Sequence, residues 1–250
     1  MGEDGERRIF RAATVGSPER NGWQAKAPAP QGQKSFDSIV GQTLSSVNPA
    51  ATPMRFGPIL KRAFYDRPTV EVARDLLGKI LVHGPAAGMI VETEAYLGGD
   101  DLAAHSARGL TARTRVIFGP PGHAYVYLIY GMYECLNLVT EPDGQPGCVL
   151  IRALQPVAGI ELMRQRRPAA RRLEDLASGP GKLTLAMAIT RAHNGADVTR
   201  GSLVVRRRVE ERPFDVEVTP RIGIRQCADW PLRFVMRGGL ERPAVHWHDS

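Results

Sequence analysis

Apolar positions recur at two spacings along this chain, and the change from one to the other outlines the elements. In residues 67–81 (RPTVEVARDLLGKIL), Val70, Val72, Leu76 and Leu77 fall on one stripe behind Pro68, which a first helical turn tolerates. That segment predicts a helix packed on a core. Residues 79–82 and 88–93 (GMIVET) read as strands joined by a turn containing Pro85, and the β-branched and aromatic run 125–130 (YVYLIY) reads as another. A strand-like pattern resumes at 135–140 (CLNLVT), so the intervening Gly131, Met132, Tyr133 and Glu134 suggest an antiparallel hairpin with aromatics at its tip. Residues 149–154 (VLIRAL) predict a further strand, buried apart from Arg152. Helical signals return at 156–166 and again after the glycine-rich SGPGK of 178–182, and Ile222, Ile224, Leu232, Phe234 and Val235 suggest closing strands. Strands and helices mix without βαβ alternation, which points to an α+β fold in a single mixed domain.

Composition changes this picture at the ends. Residues 1–55 hold few large apolar groups and include APAPQG at 27–32, so burial cannot offset their ordering entropy. They are expected to be a disordered leader, with a domain at 56–240 and a flexible tail at 241–250. The chain has 33 Lys plus Arg against 26 Asp plus Glu, a net charge of +7, which suits a partner carrying phosphates. Cys135, Cys148 and Cys227 are odd in number and lack CxxC spacing, so neither a disulfide framework nor a four-thiolate zinc site is suggested. No run of about 18 apolar residues is present to span a membrane. A cytoplasmic protein without membrane attachment is expected.

The densest polar constellation is Glu92, Glu94 and Tyr96 followed by Asp100, Asp101 and His105. In a strand Glu92 and Glu94 share a face, and a buried carboxylate is costly unless it has partners or a task. A solvated acidic edge strand would carry the same residues with no chemistry. Tyr125, Tyr127, Tyr130 and Tyr133 form a second set that either packs a core or offers stacking faces, worth about 1 to 3 kcal/mol per base. SGPGK ahead of a helix resembles a phosphate cradle, although its spacing is not that of a Walker A loop. The histidines show no HExxH pattern, and no metal is expected.

Residues 90–97 (IVETEAYL), 104–106 (AHS), 113–115 (RTR), 125–132 (YVYLIYGM), Asn137, 150–154 (LIRAL) and 178–183 together resemble the 3-methyladenine (alkyladenine) DNA glycosylase family, from about Arg62 to Gly238. The resemblance implies a curved, mostly antiparallel sheet like the formyltransferase C-terminal barrel, with a projecting hairpin. It also implies base excision repair without a cofactor. Alkylated purines such as 3-methyladenine and 7-methylguanine would be flipped from damaged double-stranded DNA and hydrolysed, and some members also take hypoxanthine or ethenoadenine. Glu94 would be the general base, with Arg152 and the backbone carbonyl of Ile222 holding the water. Tyr96 and Tyr127 would wall the base pocket, His105 would contact the base, and Asn137 would exclude the guanine amine. Tyr130 would be the wedge replacing the extruded nucleotide.

No lysine is placed as a Schiff-base nucleophile, so base release without strand cleavage is expected. Arg108, Arg113, Arg115, Gly181 and Lys182 are assigned to phosphates. Leu110 and Ala112 depart from the family pattern, which has a basic residue and often a proline in that loop. A monomer suffices for one lesion, and nucleoid association is expected if the source is bacterial. Two rivals remain: a non-catalytic nucleic-acid-binding module, and a metal-dependent phosphoesterase built on Glu92, Glu94, Asp100, Asp101 and His105.

Overall fold

The computed structural model describes residues 56–209 and 213–238. The expected leader at 1–55 and tail at 241–250 lie outside the described residues. Helix α1 (Arg62–Tyr65) leads through Pro68 into α2 (Thr69–Asp75), whose Thr69, Val72 and Ala73 are buried. Strand β1 (Ile80–His83) then turns into β2 (Ala86–Tyr96), an eleven-residue strand that organises the sheet. A non-strand segment at 97–123 precedes β3 (Ala124–Ile129) and β4 (Tyr133–Val139), which pair as an antiparallel hairpin. Strand β5 (Cys148–Ala158) follows, then α3 (Ile160–Arg166), α4 (Pro180–Met187), β6 (Leu203–Arg206), β7 (Asp215–Thr219) and β8 (Arg233–Arg237).

The eight strands form one antiparallel sheet in the order β3-β4-β5-β2-β1-β6, with β8 pairing both β2 and β7. Strand β2 holds β1 through residues 86–89 and β8 through residues 92–94, while β5 runs along its other edge. One strand thus has different neighbours at its two ends, and the sheet curls into a half-barrel. The α+β class and the curved antiparallel sheet with its projecting hairpin are as the sequence predicts.

The main core packs α2, α3 and α4 on the sheet through Leu76, Ile90, Ile151, Met163, Leu183 and Phe234. Each such side chain contributes about 1.5 to 3 kcal/mol on leaving water. A smaller cluster of Ile117, Tyr125 and Val139, with Val116, Phe118 and Tyr127 against it, fastens the 97–123 segment to the hairpin.

Three expectations need correction. The helix expected over 156–166 begins only at Ile160, because β5 continues to Ala158 with Pro156 opposite Gly88 on β2. Gly159 then reverses the chain at φ 67°, a left-handed conformation that favours glycine. Ile222 and Ile224 are not in a strand; they belong to the β7–β8 loop, where Ile222 is half exposed. The helix expected after SGPGK starts inside that motif, at Pro180, so Gly181 and Lys182 lie in its first turn. Pattern alone offered no sign of β6 or β7, which are short and whose pairing is long-range.

Candidate active site

Glu94 sits on β2 between β5 and β8 and is fully buried. Its Oε2 accepts the Tyr96 hydroxyl at 3.0 Å, and its Oε1 accepts the Ile222 amide at 2.8 Å and lies 3.1 Å from Arg152 Nη1. An ionised carboxylate offers about four acceptor positions. Three are taken, which leaves one for a water molecule.

Arg152 comes from β5 at a slip in the ladder: Thr93 pairs with Ile151 and Glu92 with Ala153, so Arg152 has no strand partner, and neither does Val91 across from it. Such irregularities recur next to active sites because they re-aim a side chain. The guanidinium spans both acids, with Nε 2.9 Å from Glu92 Oε1. Burial works against its charge, but Glu94 and Glu92 outweigh that and hold its pKa above the ordinary value. Glu92 is also bound by Arg233 at 2.6 Å, from β8.

A cavity of about 340 Å³ opens beside Glu94, lined among others by Tyr96, His105, Tyr127, Asn137, Arg152 and Ile222, with Tyr130 at its rim. The sequence-predicted base-pocket residues are therefore brought together. A larger hollow of about 550 Å³ lies between the C-terminal end of α2 and β7, away from this chemistry. His105 meets Tyr127 edge to face at 4.6 Å between ring centres, and Tyr125 lies 5.4 Å from Tyr127. Burial first, and for Tyr96 the Glu94 carboxylate second, push the Tyr96 and Tyr127 hydroxyls well above the usual tyrosine range. Both stay neutral aromatic walls. Asn137 is buried and oriented by its amide donating to the Tyr125 carbonyl at 3.2 Å and by the Cys148 thiol donating to its oxygen at 3.9 Å.

At the hairpin tip Tyr130 has φ 53°, Gly131 has φ 69°, and the Met132 amide bonds back to the Ile129 carbonyl. Positive φ at both central residues matches a type I′ turn, and an aromatic held there is strained. Tyr130 is 80% exposed. The hairpin rests on α4: a Cβ added at Gly181 would stand 2.8 Å from the Tyr133 Cβ, so only glycine admits this approach. Lys182 is exposed, with Nζ donating to Ser178 at 3.1 Å.

Arg108 and Arg115 are exposed on the 97–123 segment. Arg113, expected to serve phosphates, is exposed as well and also reaches the pocket wall, donating to His105 Nε2 and to the Tyr125 hydroxyl at 3.3 Å each. His105 thus has both ring nitrogens engaged within the protein. The Ile222 amide N–H donates to Glu94, which sets beside the carboxylate the residue whose carbonyl is expected to hold the water.

Sequence reasoning weighed Asp101 only as a metal ligand and gave Arg221 no role. Arg221, whose side chain is fully buried like that of Asp101, forks onto Asp101 at 2.6 and 2.8 Å, donates to the Ala95 carbonyl at 3.0 Å and lies 4.6 Å from the Tyr96 ring centre. Asp101 also accepts the amides of Leu97 and Ala103. This pair ties the β7–β8 loop to the strand carrying Glu94. A basic residue next to Ile222 was the available signal. Among the described residues no group of three or more His, Cys, Asp or Glu could hold a metal ion, since Glu92, Glu94 and Asp101 face arginines.

A family model described as methylpurine-DNA glycosylase matches residues 63–239. A protein of Methanocella arvoryzae is 58% identical over 183 residues, covering 70% of this chain and 90% of the relative. One of Methanoculleus marisnigri is 53% identical over 185 residues, covering 72% and 95%. One of Koribacter versatilis is 53% identical over 190 residues, covering 72% and 90%. All three bear the name "Putative 3-methyladenine DNA glycosylase".

Proposed function

From the methylpurine-DNA glycosylase family, to which this chain belongs, we propose a protein that flips alkylated purines out of duplex DNA and hydrolyses their N-glycosidic bond with a water activated by Glu94. The coarser activity follows from the family: the protein is a DNA glycosylase for methylated bases, a hydrolase of N-glycosyl bonds. Its substrate is therefore DNA. Among the described residues no helix is long and apolar enough to cross a membrane.

The observation that carries the finer reading is Glu94, a buried carboxylate with one acceptor position left, held directly behind Tyr96, Arg152 and Ile222, which line a tyrosine-walled cavity. An alkylated purine such as 3-methyladenine or 7-methylguanine stacks between Tyr96 and Tyr127, and its positive charge gains about 0.5 to 2 kcal/mol from the rings. Cleavage leaves the electron pair of the C1′–N bond on the base, and the sugar becomes oxocarbenium-like. Water bonds to C1′ and gives a proton to Glu94, whose charge also stabilises the cationic sugar. Tyr130 fills the gap left in the stack. Arg108, Arg113, Arg115, Gly181 and Lys182 take phosphates. Residues 56–240 form the catalytic domain, acting as a monomer.

Release of free methylpurine from methylated duplex in excess chelator, by wild type and by Glu94→Gln, tests this. Wild type is expected to leave intact strands with abasic sites, while the variant binds abasic DNA without releasing base. Equal release by both would remove Glu94 as the base, and loss of release with chelator would favour the metal-dependent rival.

A further inference from the structure

Tyr125 lies beside Tyr127 on the cavity face of β3, with ring centres 5.4 Å apart and planes 33° from parallel. Its hydroxyl oxygen is approached twice: Arg113 Nε reaches it at 3.3 Å, and His105 Nδ1 stands 2.9 Å away. A guanidinium can only donate, so the contact of Arg113 Nη2 at 3.3 Å makes His105 Nε2 an acceptor. The ring proton therefore sits on Nδ1, aimed at the Tyr125 oxygen. Both lone pairs of the hydroxyl are then taken, and its own proton has no acceptor among the described residues.

The other protons of the inner wall are committed or cannot be given up. The Tyr96 hydroxyl donates to Glu94, and the Tyr127 hydroxyl is bonded to Cys135. Burial raises the Cys135 thiol above its ordinary value and pushes Cys148, which donates to Asn137, up to about 12. The Arg152 guanidinium does not deprotonate. Burial first, then Arg113 and Arg108, hold the His105 imidazole down to about 4, so it is neutral and its one proton is spent on Tyr125. Burial also raises the Tyr125 hydroxyl, while the hydrogen bond and the charge of Arg113 pull it back; Cys148 and Tyr127 are the other titratable groups beside it.

We propose that Tyr125 is a catalytic proton donor for purine lesions without a fixed charge, its oxygen held by His105 and Arg113 so that the phenolate is stabilised as it forms. This rests on the glycosylase reading above. A base stacked on Tyr127 turns its edge to Tyr125, two positions back on the same face of the strand. When the C1′–N bond breaks, its electron pair goes to the purine. A base alkylated on a ring nitrogen is neutralised by that pair and needs no proton. A neutral lesion such as hypoxanthine departs as an anion unless a ring nitrogen receives a proton in the same step. That proton comes from Tyr125 Oη. The phenolate left behind already has two N–H donors aimed at it, and solvent water restores its proton after the base departs. Water adds to C1′ and yields its proton to Glu94 with either kind of base.

The test is single-turnover release, with enzyme in excess, of 7-methylguanine and of hypoxanthine, each placed once in the same duplex, by wild type and Y125F between about pH 5 and 8. Wild type is expected to release both bases in a ratio that does not change with pH, because the phenol stays protonated throughout. In Y125F the hypoxanthine to 7-methylguanine ratio is expected to fall about 100-fold or more. A ratio that Y125F leaves unchanged, or wild type that releases 7-methylguanine and no hypoxanthine, would overturn the proposal. So would a wild-type ratio that climbs as pH falls, the mark of solvent acid or an imidazolium as the donor. Failure of wild type to release 7-methylguanine would instead remove the glycosylase reading itself. The ratio cancels any loss of folded enzyme. Should Y125F release neither base, ring-fluorinated tyrosines in place of Tyr125 decide, since they keep the side chain's shape and make the phenol more acidic by degrees. A ratio that drops at progressively lower pH along that series supports the proposal, and a profile that does not move overturns it.

Discussion

Glu94 and Arg152 meet across neighbouring strands, Oε1 to Nη1 at 3.1 Å, where the ladder between β2 and β5 slips by a residue. The carboxylate is fully buried, and this guanidinium is the positive charge that touches it. Removing the cation alone leaves a buried charge without compensation, a loss of about 3 to 5 kcal/mol. Arg152→Met is expected to cost about that in urea unfolding, and the double variant with Glu94→Gln to recover much of it. Additive losses in the double-mutant cycle would contradict this pairing.

The Asp101–Arg221 pair makes a separate demand. Both side chains are fully buried, and the neighbouring Ile222 amide is bound to Glu94. Asp101→Asn is expected to lose about 3 to 5 kcal/mol, more than any exposed ion pair such as Arg172–Asp175 would cost. At a temperature where the variant stays folded, kcat should fall while binding to abasic DNA holds. A fall in binding with kcat intact would place the pair in DNA contact instead.

Tyr130 is 80% exposed, so its removal should barely affect folding. Tyr130→Ala is expected to change stability by no more than about 0.5 kcal/mol, yet to lower excision from duplex by about tenfold or more. Excision from single-stranded DNA, where no gap needs filling, should fall much less. Equal losses on both substrates would argue against a wedge.

Arg108, Arg115 and Lys182 are exposed cations. If each meets a phosphate, its replacement by alanine should lower the slope of log affinity against log salt by about 0.9 and weaken binding to all sequences alike. Affinity that stays flat with salt in wild type would contradict the phosphate assignments.

His105 should leave a mark on stability as well. Its folded-state pKa of about 4 lies below the unfolded value of about 6.5, so the unfolded chain takes the proton first as pH falls. The contribution is present above about pH 6.5 and is lost on descending through about 4; the partly exposed ring makes it small. Thermal melts of wild type and His105→Gln should converge on acidification over that window. Melting curves that stay parallel would mean the ring is not held neutral.

Much of the architecture was legible because short-range pattern carries it. The stripe of Val72 and Leu76, the alternation around Tyr125 and Tyr127, and the glycine at the hairpin turn each follow from local periodicity or φ preference, and α2, β3 and β4 lie where those signals stand. The same signals misplaced the start of α3, since a strand continuing through Pro156 is decided by its partner Gly88 on β2. Ile222 and Ile224 read as strand positions by apolar content, but the neighbouring Arg221 is drawn to Asp101, 120 positions away, and the segment becomes the loop over Glu94.

By itself the sequence determined the residue types of a tyrosine-walled site, the antiparallel hairpin that carries the tip, and a basic balance suited to DNA, since all three are properties of composition and nearest neighbours. Only the tertiary structure decided which charges meet. Arg152 faces Glu94, Arg221 faces Asp101, and the exposed Arg113 reaches His105. Burial makes an unpaired charge costly, so partners are chosen by proximity in the fold, and proximity across strands is not written in any local pattern.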